Sequence, residues 1–75
     1  MTKLPDITGE RVVKALKKNG WFVKNQKGSH VKLTKTGHNY FLIVPVHGSA
    51  TVPKGTLSNI LKDAGLTVDE FIDLI

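Results

Sequence analysis

Cysteine is absent from this 75-residue chain. Its absence excludes disulfides, thiolate metal sites and a thiol nucleophile, and it predicts a reducing, cytoplasmic setting. Acid is missing over a long stretch, with no Asp or Glu between Arg11 and Lys62. Paired carboxylates for glycosidase-type acid–base chemistry, or for a Mg²⁺ site, are therefore not available there. The three histidines, at positions 30, 38 and 47, lack the short spacing of a helical or hairpin zinc site. A phosphate-binding glycine loop of the GxxxxGK[ST] type is missing too. No metal and no cofactor is expected. The longest apolar run, Tyr40 to Val46 with Pro45 included, falls far short of the roughly 20 residues that span a bilayer. The stretch from Met1 to Asp6 has no apolar signal core, so no membrane partner is expected.

What is present is basic charge, unevenly spread. In residues 1–54, nine lysines and Arg11 stand against Asp6 and Glu10, a net +8. In residues 55–75, Lys62 stands against Asp63, Asp69, Glu70 and Asp73, a net −3. The basic segment attracts polyanions, with RNA or DNA the first candidate. The length allows one domain over residues 1–75, and apolar residues at 40% are enough for a core and too many for a disordered tail. A chain this short buries only about 60% of its unfolded surface, so modest stability is expected.

Periodicity predicts a helix from about Thr8 to Asn19, with Thr8 as N-cap and Ile7 packed on Val12 as a hydrophobic staple. Val12, Val13, Ala15 and Leu16 form its apolar face; Arg11, Lys14 and Lys18 share the opposite one. Gly20 ends it. Trp21 to Val23 reads as a strand, and Gln26 to Ser29 as a turn. Residues 30–35 alternate: Val31 and Leu33 point one way, His30, Lys32 and Thr34 the other. After a turn over residues 36–39, Tyr40 to Val44 reads as the third strand, stopped by Pro45. A loop over residues 45–53 leads to a helix from Lys54 to Ala64, stopped by Gly65. Thr67 to Glu70 has a capping-box pattern that opens a short last helix with Val68, Phe71, Ile72 and Ile75 as its apolar stripe. The expected fold is α+β, in the order α-β-β-β-α. A three-stranded antiparallel sheet carries helices on one face, and a short extra helix ends the chain. That order matches double-stranded-RNA-binding domains, but order alone gives no function.

One chemistry suits a histidine on a basic, acid-free surface. RNA carries its own nucleophile, the 2′-hydroxyl, and its cleavage needs proton transfers and positive charge near the phosphate, without a metal. An imidazole, which ordinarily titrates near pH 6.5, serves both proton steps at neutral pH. His30 follows Lys27, Gly28 and Ser29. Gly28 lets the backbone approach a phosphate closely, and the amides of Gly28 and Ser29 with the ammoniums of Lys27 and Lys32 suit developing charge. Lys14 and Lys54 are further candidates for RNA phosphates, Lys54 because it opens a helix whose free amides favour anions. His47 is a candidate for a second proton transfer or for phosphate binding; a loop histidine that holds the Pro45–Pro53 turn is the plainer alternative. His38 has no expected role. Trp21 and Phe22 are expected in the core, although aromatic rings can stack bases.

Five segments then fall in order: Gly20-Trp21-Phe22; Lys27-Gly28-Ser29-His30; Val44-Pro45-Val46-His47; Pro53-Lys54-Gly55-Thr56-Leu57; and Ile60-Leu61-Lys62-Asp63-Ala64-Gly65. Together they resemble the HicA toxin family, over nearly the whole chain from about Thr8 to Phe71. The resemblance implies a double-stranded-RNA-binding type of fold and an mRNA interferase, a toxin of a type II toxin–antitoxin system. It also implies that His30, in the Gly-Ser-His tripeptide, is the catalytic residue. The implied partners are mRNA and a HicB-type antitoxin, with the free toxin expected as a monomer.

Two other classes compete with the ribonuclease. A non-catalytic RNA-binding module of the same fold shares its basic charge and salt-sensitive RNA affinity, but only the enzyme gives His30 a task that alanine cannot perform. A small interaction domain whose basic face meets an acidic protein predicts no RNA affinity at low salt.

Overall fold

The computed structural model describes residues 3–75. Met1 and Thr2, which open the stretch read above for a signal core, lie outside the described residues. The elements run α1 (Gly9–Lys18), β1 (Phe22–Lys27), β2 (His30–Thr34), β3 (Leu42–Pro45), α2 (Lys54–Ala64) and α3 (Val68–Ile72). The strands form one antiparallel sheet in the order β1-β2-β3, so β2 is central and the other two are edges. This is the expected α-β-β-β-α order.

Local chemistry explains where the helices start and stop. The Thr8 side chain accepts the Arg11 amide at the start of α1, and Ile7 and Val12, the two staple residues, are both buried. At its end the Gly20 amide bonds the Lys17 carbonyl and the Trp21 amide bonds the Leu16 carbonyl. This pair of bonds is a Schellman motif, and it requires the positive φ of 93° that Gly20 adopts. The same pair of bonds, from Gly65 to Lys62 and from Leu66 to Leu61, closes α2. The capping box of α3 is complete: the Glu70 amide donates to Thr67 Oγ1 and the Thr67 amide to Glu70 Oε1.

Alternation then decides the layers. Val31 and Leu33 of β2 and Leu42 and Val44 of β3 are buried. They join Val12, Val13, Ala15 and Leu16 of α1, Leu57, Ile60, Leu61 and Ala64 of α2, and Phe71 of α3 in one core. Both long helices therefore cover one face of the sheet, and the other face is open to solvent. Gly9 fits α1 against the end of β3 so closely that a Cβ there would collide with the Pro45 carbonyl oxygen.

Three boundaries differ from expectation. Strand β1 reaches Lys27, so the turn is only Gly28 and Ser29. All six β1 residues are exposed, and an edge strand without a buried face carries no apolar alternation to read. Its existence is set by pairing with β2. Strand β3 begins at Leu42, later than expected, because Tyr40 is drawn toward α2. Its hydroxyl donates to the Asp63 carbonyl at 2.5 Å, and its ring meets His38 at 5.6 Å between centroids. Pro45 does not lie just beyond the strand, as expected, but is its last residue, paired with His30. An edge position allows this, since the missing amide costs no ladder bond. Trp21 is in the core as expected, at 2% exposure, but Phe22 is not: it is half exposed, on the open face. Successive strand residues point to opposite sides. Among the described residues, no helix is long and apolar enough to cross a membrane.

Candidate functional site

The β1–β2 hairpin places His30. Lys27 and His30 pair across a two-residue loop, in which Gly28 takes a φ of 60° while Ser29 stays negative. A glycine first and an ordinary residue second is the requirement of a type II′ turn, whose twist matches that of the strands. A Cβ at Gly28 would meet nothing within 4 Å, so the glycine answers to backbone conformation and not to crowding. The Ser29 carbonyl accepts the Val46 amide and the Gly28 carbonyl accepts Gln26 Nε2. The amides of Gly28 and Ser29 donate to no group among the described residues.

From this hairpin His30 emerges on the open face, exposed and adjacent to two shallow depressions. One is lined by Asn25, Lys27, His30, Lys32 and Ile43. The other is lined by His30, Ile43, Pro45, His47, Pro53 and Thr56. His30 and His47 thus border the same hollow, brought together by the Pro45 end of β3 and by the loop that follows. That loop is held by bonds from Ala50 to His47 and from Val52 to Ile7. Among the described residues, neither imidazole has a hydrogen-bond or ion-pair partner. No group of three or more His, Asp or Glu capable of holding a metal ion is present among them.

The candidate lysines divide. Lys27 and Lys32 flank His30 in the first depression. Lys14 does not join them. It projects from α1, in the helical layer beneath the sheet, where it borders a groove with Lys17, Val23 and Val46 and another with Arg11 and Lys18. Lys54 has a task that its position in sequence does not announce. Its ammonium donates to the Leu4 carbonyl at 2.6 Å and pairs with Asp6 at 3.2 Å, fastening the N-terminal segment to the start of α2. Both partners of that pair are largely exposed, so it is worth at most about 1 kcal/mol.

Two side chains on this face carry no assignment from the sequence reading. Phe41 and Ile43 are exposed, and Ile43 pairs with Lys32. The signal was present: in Tyr40 to Val44, alternation sends Leu42 and Val44 inward and Phe41 and Ile43 outward. It is visible only once β2 and β3 are known to pair. His38, by contrast, lies away from the site. It packs on Trp21 with ring centroids 5.0 Å apart.

Comparison with curated proteins gives no significant match. A family model described as the HicA toxin of bacterial toxin–antitoxin systems matches residues 9–66, which include the hairpin, His30, His47 and all of α2. With that much of its length matched, and with the helix, three antiparallel strands and helices in place, the chain belongs to the HicA toxin family.

Proposed function

We propose that this toxin is a metal-independent endoribonuclease that cleaves mRNA, with His30 as the catalytic residue. The observation that carries the reading is the pair of unpartnered imidazoles, His30 and His47, on one hollow of an acid-free surface, with Lys27 and Lys32 beside the first.

In this mechanism His30 removes the proton of a ribose 2′-hydroxyl. The 2′-oxygen bonds to phosphorus, the bond to the 5′-oxygen breaks, and that oxygen takes a proton. The products are a 2′,3′-cyclic phosphate and a 5′-hydroxyl end. In this reading His47, which borders the same hollow, donates the second proton or holds the phosphate. The free amides of Gly28 and Ser29 and the ammoniums of Lys27 and Lys32 offset charge that gathers on the phosphoryl oxygens. Lys14, on the helical layer, and Lys54, whose ammonium is held by Leu4 and Asp6, lie farther from the hollow and contribute less to RNA affinity than Lys27 and Lys32. General acid–base assistance contributes roughly 10²–10⁴ in rate, so the enzyme is slow by the standards of nucleases. The cysteine-free chain is suited to the cytoplasm, as a free monomer.

The competing reading is a non-catalytic RNA-binding module. It is favoured by one observation: among the described residues, none bonds the His30 ring to orient it. Expression of the native chain and of His30→Ala in a bacterium separates the two. The native toxin is expected to degrade mRNA and arrest growth, in extracts also with EDTA present. His30→Ala is expected to do neither while keeping its circular dichroism spectrum. Equal degradation by both proteins removes His30 from the mechanism.

Family membership implies a cognate antitoxin. We infer a HicB-type protein whose contact surface is acidic, since it must cover a basic face, and opposite charge speeds and orients docking. Covering His30 also excludes RNA, so cleavage and RNA affinity are lost together.

A further inference from the structure

Three of the exposed large apolar side chains, Phe22, Phe41 and Ile43, share the face that carries His30. Phe41 and Ile43 are 40% and 43% exposed, and Phe22 joins them through its pairing with Thr34. Phe41 does not stand among neutral neighbours. Lys24 Nζ and Lys32 Nζ lie 4.8 and 4.3 Å from the centroid of its ring. A phenyl ring left in water and attended by two ammoniums is a poor seat for an apolar protein surface, because docking there would strip water from both charges. It is a good seat for a group that presents a flat π-face and carries negative charge beside it. A nucleotide does both.

The energies favour an exchange. A cation–π contact at an exposed site is worth about 0.5–1 kcal/mol, whereas an aromatic side chain stacked on a base is worth about 1–3 kcal/mol. A base therefore displaces an ammonium from the ring, and the freed lysine turns to the flanking phosphate. Duplex RNA cannot make this exchange, because its base faces are already stacked on one another.

From this geometry we propose that Phe41 is a stacking platform for an unpaired base of single-stranded RNA, with Lys24 taking the adjoining phosphate and Lys32, which lies between the ring and His30, facing the phosphate toward the bond cleaved. Only the identification of the polymer as RNA rests on the ribonuclease reading. Phe41 lies four residues from Pro45, which pairs with His30; at about 3.4 Å per strand residue that is ~14 Å. At ~3.4 Å per stacked nucleotide, the platform holds a base within about four nucleotides of the bond cleaved at His30. The toxin thereby selects unpaired stretches of its message, although its element order matches a fold associated with duplex RNA.

The test uses fluorescein-labelled single-stranded RNA carrying 2′-O-methyl groups, so that binding is measured without cleavage, and a duplex of the same sequence. The intact toxin is expected to bind the single strand more tightly than the duplex by fluorescence anisotropy. Phe41→Ala is expected to weaken single-strand binding by about five- to 150-fold, the range of one base stack. Duplex binding and the salt slope should barely change, since no charge is lost, and Phe41→Trp should bind at least as well as the native chain. Circular dichroism checks that each variant is folded. Single-strand affinity within twofold of native for Phe41→Ala overturns the proposal, as does an equal loss on the duplex or no RNA binding by the intact toxin at low salt. Self-association or antitoxin binding that fails in Phe41→Ala while RNA binding persists assigns the ring to a protein interface instead. Failure of His30 to cleave, with the Phe41 result as expected, would sink the ribonuclease reading alone.

Discussion

The two faces of the sheet are built from the same strands and the same alternation, yet they serve opposite ends. Inward, Val31, Leu33, Leu42 and Val44 are no more than 6% exposed and meet helices α1, α2 and α3 in one core. Outward, His30, Lys32, Ile43 and Phe41 occupy the open face, where Lys32 lies over the Phe41 ring and, among the described residues, the His30 side chain makes no hydrogen bond. The inner face is where stability resides, because removing apolar surface from water is the main favourable term in folding. The outer face contributes little to stability, and its side chains are free to be chosen for chemistry. Stability and function should therefore separate cleanly by the direction in which a strand residue points.

The largest effect should come from the inner face. Leu33→Ala empties a fully buried position in the central strand and should cost about 2–5 kcal/mol. Chemical denaturation measures it, and a loss below about 1 kcal/mol would mean that the two faces are not so distinct. His30→Ala, one residue type on the same strand turned outward, should leave the denaturation midpoint within about 0.5 kcal/mol of native while cleavage is lost.

Next in size is Gly9→Ala. A methyl there collides with the Pro45 carbonyl, and backbone cannot move aside as a flexible side chain can. Overpacking of this kind costs about 1–3 kcal/mol. Because Pro45 borders the His30–His47 hollow, this substitution should also reduce cleavage, which Leu33→Ala, tested well below its melting temperature, should not. Unchanged stability in Gly9→Ala would show that α1 can shift without cost.

The smallest effect sharpens the comparison between the outer face and the helical layer. If about three to five lysines meet phosphates, log affinity for single-stranded RNA should fall with log salt at a slope of roughly −2 to −4. Joint replacement of Lys27 and Lys32 by alanine should make that slope shallower by about 1.4, at ~0.7 per lost contact. Replacement of Lys14, which projects from α1, should change it less. An equal change from Lys14 would place the RNA across the helical layer as well.

Much of this was legible in the residues. Thr8, Gly20, Gly65 and the Thr67–Glu70 pair mark helix ends by bonds made within a few residues, so local sequence suffices to read them. The alternation from His30 to Thr34 told which side of β2 was core, and the Gly-Ser-His segment singled out the histidine. Residues 24–27 were not legible as strand. They are polar, exposed and stabilised by pairing alone, and pairing with β2 is not a property of their own sequence. Phe22 and Phe41 were misplaced or unassigned for a related reason: an aromatic residue looks like core until the face it occupies is known.

Composition and local periodicity were thus enough to determine the element order, the basic and acid-free character of residues 12–61, and the candidacy of His30. Only the tertiary structure decided that His47 shares a hollow with His30 and that Lys14 does not. The same is true of the staple that Lys54 makes with Leu4 and Asp6, and of the two lysines that sit over Phe41. Caps, turns and alternation depend on neighbours within about four residues, which the chain displays directly. Which strand edge, loop or helix start meets which other depends on how the layers close over a shared core, and for that the whole chain must fold at once.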